Sequence, residues 1–195
     1  MNTPRSLTLI KFFLPFLLLA AFVFSAPPSM AAATGSGRVI TEARAVSDFN
    51  AITMKGSMQL VVRQTGRESL SISAEDNILP LIETKVEADG SDRVLHIQFK
   101  RDASVSTRRE IKVVIEVIKL SPALKLTMLG AGDVNARGLV LDALNVRIAG
   151  SGDAAVHATK SLTVGVMGSG DVQYRSGATE IHKTVMGSGS VKPMK

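Results

Sequence analysis

A short glycine motif recurs four times at nearly equal intervals in the last third of this chain. Its copies are Gly130-Ala131-Gly132-Asp133, Gly150-Ser151-Gly152-Asp153, Gly168-Ser169-Gly170-Asp171 and Gly187-Ser188-Gly189-Ser190. Successive copies are 20, 18 and 19 residues apart. A fixed period of this size indicates a repeat architecture in which each unit packs on the next.

Apolar residues alternate with polar or small ones on both sides of each motif. Six, four and two residues before the first glycine of each copy stand Leu124, Leu126, Met128, Leu144, Val146, Ile148, Leu162, Val164, Val166, Ile181, Lys183 and Val185. A second apolar series follows the first three copies, in Val134, Ala136, Ala154, Val156, Val172 and Tyr174. This period of two predicts strands with one face turned inward on either side of each motif.

A strand, a tight glycine corner, a second strand and a return turn form one rung of a β-helix. The sequence therefore predicts an all-β, parallel β-helix or β-solenoid with regular rungs over residues 124–192. The corner residues are Gly130, Gly132, Gly150, Gly152, Gly168, Gly170, Gly187 and Gly189. We expect a positive φ there, which costs a residue with a β-carbon roughly 1 to 2 kcal/mol.

The last unit carries Lys183 at an otherwise apolar position, and Lys192 and Pro193 follow it. Lysine and proline on an open edge discourage another chain from adding a strand. The C-terminal unit is therefore predicted to cap the stack.

Residues 45–123 show less regular strand patterns, separated by turn signals, and only residues 77–86 are compatible with a helical turn. Residues 32–44 show little periodicity and are interpreted as a flexible lead. Residues 45–195 then form a single domain.

The N-terminus is typical of a cleavable signal peptide over residues 1–31. Arg5 and Lys11 precede an apolar run of 13 residues, and Ser29-Met30-Ala31 supplies a cleavage site after Ala31, with Ala33 as the alternative. A spanning helix needs roughly 20 apolar residues, and no later stretch provides one. We expect a periplasmic or extracellular protein without a transmembrane helix after cleavage.

The chain has no cysteine, which excludes disulfides, thiolate metal sites and a lipoprotein anchor. Without residues 1–31 it keeps 21 basic and 17 acidic residues, a net charge of +4. This mild excess is compatible with anionic envelope surfaces, and no nucleic-acid-binding motif accompanies it.

These features together resemble the head GIN domain of proteins described as putative auto-transporter adhesins. The matching residues are Phe49-Asn50-Ala51-Ile52, the region from Glu75-Asp76-Asn77-Ile78 to Val86, Leu120-Ser121-Pro122-Ala123-Leu124 and the glycine series. The resemblance covers roughly residues 45–192. It implies a bacterial, exported, right-handed β-helix-like domain of unassigned role. An auto-transporter's heptad stalk and C-terminal barrel strands are absent from this sequence, which favours a free periplasmic or secreted domain.

The series Asp133, Asp153 and Asp171, with Ser190 in the fourth copy, is one candidate site. Serial glycine-aspartate corners can bind calcium, although calcium-binding repeats of that type use a nine-residue step. Alternatively, each aspartate accepts backbone N–H hydrogen bonds at its corner, as aspartate does in turns. The second interpretation is favoured, and no cofactor is required.

The charged loop with Lys100, Arg101, Arg108 and Arg109 is a second candidate, for an anionic glycan or lipid head group. A solvated connection between strands explains the same residues. The predicted partners are therefore an envelope glycan, a lipid head group or a surface protein.

Parallel β-helices also carry polysaccharide lyases and hydrolases, so an enzyme stays open as an alternative. The short corners leave few loops for a catalytic groove, and no nucleophile elbow, P-loop or dinucleotide motif is present. The histidines His96, His157 and His182 show no metal-ligand spacing. The favoured interpretation is a non-catalytic binding or adhesion module.

Overall fold

The structure, a computed structural model, describes residues 32–117 and 123–194 of the chain. The predicted signal segment, residues 1–31, lies outside the described residues, as do residues 118–122 within the family-like stretch before the first regular unit. Within the described ranges, no helix is both long and apolar enough to cross a membrane.

The described chain is all-β, apart from one short 3-10 helix at Leu79–Leu81. Its strands are β1 (Ala33–Thr34), β2 (Val39–Arg44), β3 (Ala51–Lys55), β4 (Gln59–Gln64), β5 (Ser69–Glu75), β6 (Ile82–Asp89), β7 (Asp92–Phe99), β8 (Val105–Ser106), β9 (Lys112–Val117), β10 (Ala123–Gly130), β11 (Asp133–Gly150), β12 (Ala154–Gly168), β13 (Asp171–Ser176), β14 (Glu180–Gly187) and β15 (Ser190–Pro193). Thirteen of them form one strongly curled sheet, and β1 pairs with β8 separately.

The curled sheet has two sides that meet at the glycine corners. Strands that precede a corner form side A, which runs through β3, β10, residues 143–150, residues 161–168 and β14. Strands that follow a corner form side B, which runs through β4, residues 133–136, residues 154–158, β13 and β15. All of these neighbours pair in parallel. We call one passage of the chain along side A, through a corner and along side B a lap, and each lap pairs with the lap before it.

The strand register aligns the motif glycines in one column. Gly130 pairs with Gly150, Gly150 with Gly168, and Gly168 with Gly187. These four residues have φ between 132° and 143°, which is the region that glycine alone adopts readily. The second glycine of each motif is outside that region and instead lies against the backbone of the previous lap.

A fifth lap precedes the four that the sequence motif marks. β3 pairs with β10 and β4 pairs with β11, and the corner between β3 and β4 contains Gly56 at φ 110°. This corner was not predicted, because Met58 stands where the other copies have their second glycine.

The inward series from both sides of the sheet join one hydrophobic core. Leu126, Val146 and Val164 on side A are at most 1% exposed, and Val134 and Val156 on side B are at most 2% exposed. The last lap differs, because none of the described strands covers it: Val185 is 40% exposed and Lys183 is also exposed.

Antiparallel strands complete the opposite end of the sheet. β7 and β9 add to β3 and β4 in parallel, after which β6 pairs with β7 and β5 with β9 in antiparallel fashion. β2 then pairs with β5, so residues 39–44 are ordered as an edge strand. The predicted flexible lead over residues 32–44 therefore contains two strands. Its alternation was invisible in sequence because five of the six β2 residues are exposed.

Candidate functional site

The outer face of side B carries polar side chains in regular columns. Because side chains alternate along each strand, Asp133, Asn135 and Arg137 point outward while the residues between them enter the core. In the next laps, Asp153 and Asp171 continue the aspartate column, since Val134, Ala154 and Val172 are in register. After their corners, β11 and β13 thus carry an acidic, an amide and a basic residue in turn, whereas β12 has Ala155 at the amide position and His157 at the third.

The aspartate column is joined from lap to lap by hydrogen bonds. The Asp153 N–H donates to Asp133 Oδ1 at 3.0 Å, and the Asp171 N–H donates to Asp153 Oδ1 at 2.8 Å. Ser190 extends the series, because its hydroxyl donates to Asp171 Oδ1 at 2.8 Å. Asp133 and Asp153 therefore each accept the backbone N–H of the aspartate in the following lap, and Asp171 accepts a serine hydroxyl. The three carboxylates are exposed to solvent, which reduces the repulsion between them.

A groove of about 270 Å³ lies on this face beside the aspartate column. Ala154 and Ala155 belong to its lining. Ala155 is in register with Asn135 of the preceding lap and Gln173 of the following lap, and its side chain is shorter than theirs. The two amides therefore stand on either side of a notch. The complete lining is Gln59, Asp133, Val134, Asn135, Arg137, Asp153, Ala154, Ala155, Asp171 and Gln173.

The groove presents hydrogen-bond acceptors on one wall and donors on the other. Carboxylates accept, the Asn135 and Gln173 amides both donate and accept, and the Arg137 guanidinium donates. A second hollow adjoins it, lined by Arg137, Gln173, Arg175, Lys192, Pro193 and Met194. This arrangement suits a ligand with many hydroxyl groups, each of which can both donate and accept.

Aromatic side chains take no part in this groove. Tyr174 is 6% exposed and belongs to the core, and Phe49 and Phe99 pack against that core. Among the described residues, no phenylalanine or tyrosine is fully exposed, and Phe49 and Phe99 are half-buried. Binding in the groove would depend on hydrogen bonds.

The four basic residues singled out from the sequence do not gather in one place. Arg108 and Arg109 line a polar cleft of about 600 Å³ with Glu75 and the turn at Gly35–Gly37. Lys100 instead follows β7, where its N–H donates to the Leu81 carbonyl at 2.8 Å. An anionic ligand could therefore meet the arginine pair without the Lys100–Arg101 pair.

Glu75 is the buried charged residue of this cleft, at 4% exposure. It accepts a hydrogen bond from the Gly37 N–H at 2.6 Å and another from the Thr107 hydroxyl. The next residue, Asp76, bonds the Ser36 hydroxyl and the Arg38 side chain. The Ser36 hydroxyl first, and Arg38 second, hold the pKa of the Asp76 carboxyl below its usual value. These contacts fasten residues 33–38 to the body of the domain.

The histidines lie apart from one another. His96 is paired with Glu87 at 3.7 Å between Nε2 and Oε2, while His157 and His182 lie on different sides of the sheet. Within residues 32–117 and 123–194, no three histidine, aspartate or glutamate side chains are grouped as metal ligands.

Sequence reasoning identified the aspartate wall of the groove and missed the rest. Gln59, Asn135, Arg137 and Gln173 belong to no motif, and their shared location results from the lap register. The alternation after each glycine motif was the available signal, because it assigns every second residue to the outer face.

The fold and the groove define an all-β protein of stacked, glycine-cornered laps with a polar outer face. The chain belongs to the family described as putative auto-transporter adhesin, head GIN domain, whose profile matches residues 48–122 and 121–178.

Three solved structures are similar to this chain at low sequence identity, and one of them, with a TM-score of 0.57, shares its fold. A putative cell adhesion protein from Clostridium sporogenes is 13% identical with a TM-score of 0.57, and the match covers 80% of this chain and 100% of that one. A putative lipid binding protein from Parabacteroides distasonis is 19% identical with a TM-score of 0.44, covering 85% and 100% of the two chains. A putative adhesin from Bacteroides fragilis is 19% identical with a TM-score of 0.40, covering 84% and 100%. Among curated proteins, none matches this chain.

Proposed function

We propose that this protein is an exported, non-catalytic binding module of the bacterial cell envelope, and that it holds a glycan on the outer face of side B. The observation that carries the proposal is the groove at Ala155, because carboxylates, amides and a guanidinium line it together and are accessible from solvent. Its mixed charge favours a neutral or zwitterionic glycan over a polyanion, because three carboxylates form one wall. Membership of an adhesin-like family supports a role in recognition.

The scaffold of this module is proposed to be a right-handed parallel β-helix. Parallel pairing through the five successive laps supports it. Crossover connections between parallel strands of a sheet are right-handed in about 98% of cases. A long, repetitive outer face of this kind suits the binding of an extended polymer.

Export is proposed to follow cleavage of the signal segment after Ala31 rather than after Ala33. β1 begins at Ala33, whose N–H donates to the Ser104 carbonyl at 2.8 Å. Cleavage after Ala31 keeps this strand whole, whereas cleavage after Ala33 removes half of it. Mass spectrometry of the exported protein decides between the two, and a start at Thr34 would contradict the assignment.

A glycan array with neutral, zwitterionic and acidic envelope polysaccharides tests the binding function. The decisive variant is Ala155→Gln, which fills the notch with an amide like those of its neighbours Asn135 and Gln173. We expect it to lower glycan binding at least about tenfold, since it removes the space for the ligand. The matched control is Thr163→Gln, which places the same side chain at an exposed position of β12 on side A.

Both variants should keep the wild-type unfolding midpoint in urea, because both substitutions are on outer faces. Equal loss of binding in the two variants, or binding unchanged by Ala155→Gln, would remove the groove from the function. Absence of any bound glycan across the array would overturn the glycan assignment. Release of shorter oligosaccharides from a bound polymer, lost on mutation of Asp133 and Asp171, would instead establish the enzyme alternative.

A further inference from the structure

An exposed apolar column runs along the outer face of side A, where polar residues would be expected. It consists of the outward residues directly before four corners, Leu129, Ala149, Met167 and Met186, which are paired in register from lap to lap. Met167 is 60% exposed, Met186 63% and Leu129 37%. With a strand spacing of about 4.8 Å, the column is about 14 Å long.

A gap in the neighbouring column deepens this surface into a groove. Thr127, Arg147 and Thr184 carry side chains at the equivalent position of three laps, whereas the fourth residue is Gly165. The backbone does not require this glycine. Its φ is outside the positive region, and a β-carbon there would meet only Arg147 Cγ, at 4.0 Å. A glycine inside a strand weakens the strand and often marks the close approach of a ligand.

The groove has a volume of about 340 Å³ and an apolar lining. Of the described residues that line it, Arg147 is the only charged one. A guanidinium at the margin of an apolar groove, without a carboxylate in the lining, is complementary to an anion attached to a hydrocarbon chain. We propose that this groove binds the acyl chain of one anionic lipid, with the lipid head group paired to Arg147.

The same features argue against a second copy of the chain as the occupant. In a two-fold symmetric interface each residue of the patch meets the same patch of its partner. Both Arg147 side chains would then be buried in one apolar interface without an acidic partner from either groove, which is unfavourable. Flexible methionine side chains, by contrast, adapt readily to an alkyl chain.

Calorimetric titration of the purified protein with dodecanoate, below its micelle concentration, tests the proposal. Gly165→Val fills the groove and places a strand-favouring residue at an unstrained position, so the fold should be kept or slightly stabilised. We expect it to weaken dodecanoate binding at least about tenfold. Thr163→Val is the matched control, because it adds the same side chain to the outer face of the same strand outside the groove.

Arg147→Gln separates the head group from the chain. It should weaken dodecanoate binding about tenfold while leaving the weaker binding of dodecanol unchanged, because only the charged head group needs the guanidinium. Dodecyltrimethylammonium should bind wild-type protein no better than dodecanol does. Equal binding of the cationic and anionic probes, or unchanged binding in Gly165→Val, would overturn the proposal.

Sedimentation velocity of the same proteins supplies the remaining outcome. A wild-type dimer that Gly165→Val dissociates would show that a second copy occupies the groove, and it would also overturn the lipid assignment. Glycan binding on side B is tested with a different variant, Ala155→Gln. Failure of the lipid proposal therefore does not affect the glycan proposal, and failure of the glycan proposal does not affect the lipid proposal.

Discussion

Gly152 packs directly on Gly132, one lap earlier: a β-carbon added at Gly152 would lie 1.8 Å from the Gly132 carbonyl oxygen. The backbones of two successive laps are therefore in contact at the second glycine of the motif. Neither lap can move aside without breaking the strand register. The first glycines of the motifs combine this closeness with positive φ: Gly150 has φ 143°, and a β-carbon added there would lie 1.9 Å from the Gly130 carbonyl oxygen. The corner motif thus has two separate physical causes, one conformational and one steric.

Gly152→Val should lower the free energy of unfolding by about 3 kcal/mol or more, since forced overpacking commonly costs 1 to 3 kcal/mol and here the obstacle is backbone. Asp153→Asn should cost about 1 kcal/mol or less, because the Asn oxygen can still accept the Asp171 N–H. Urea unfolding of both variants measures the difference. Comparable midpoints would contradict the steric account of the corner.

Lys183→Val should make the protein self-associate. The Lys183 ammonium lies 2.6 Å from the Tyr174 hydroxyl and 4.4 Å from the centre of its ring, so it covers the end of the core with a charge. Valine there would leave an apolar edge on β14, whose one partner among the described strands is β12.

Sedimentation velocity over a range of concentrations measures this association. His182→Val, on the same strand, also exposed and outside the side A groove, is the control and should sediment as the wild type does. A Lys183→Val variant indistinguishable from the control would argue that the lysine does not protect the edge.

Calcium should not stabilise the protein. Asp133 and Asp153 each use Oδ1 to accept the amide of the next lap, and the column is explained without a cation. We expect thermal midpoints with and without about 5 mM calcium to agree within about 1 °C, since a ligand stabilises only at concentrations near or above its Kd. A midpoint that rises with calcium concentration, and no longer does so in Asp153→Asn, would establish the calcium-binding alternative.

Acid should release residues 33–38 before the laps unfold. The pKa of Asp76 is lowered in the folded protein by the Ser36 hydroxyl and by Arg38, so the contact stabilises the fold above the unfolded pKa of about 3.9. That stabilisation is lost as pH falls through the lowered folded value.

The protection of the Gly35 amide, which donates to the Ser106 carbonyl at 2.9 Å, reports this release. Hydrogen exchange followed by NMR should show protection at about pH 6 and its loss below about pH 3. In Asp76→Asn the dependence on pH should be much reduced. Protection that persists unchanged into strong acid would show that Asp76 does not hold this segment.

The sequence anticipated the regular laps better than the irregular ones. Leu144, Val146 and Ile148 were placed inward by alternation and are at most 3% exposed. The corner at Gly56 escaped notice because Met58 interrupts the motif, and β2 escaped because an edge strand with both faces wet shows no alternation. Strand pairing between residues that are far apart in sequence, as between Val39 and Glu75 or Arg44 and Leu70, is not encoded by local pattern.

The candidate sites were predicted only in part. The aspartate column follows from the repeat, since equal spacing brings equivalent residues together. The notch at Ala155 and the gap at Gly165 depend instead on which side chains their neighbours in adjacent laps carry. A small residue in a strand does not by itself predict a groove, because a groove forms only where the residues in register with it in adjacent laps have larger side chains.

Repetition by itself determined the corners, the inward residues and the stacking of the last four units, because identical laps can bury their apolar faces only on one another. The tertiary structure alone decided the two grooves and the fastening of residues 33–38. These features are formed by residues of different laps or of segments distant in sequence, and such residues come close to one another only in the folded chain.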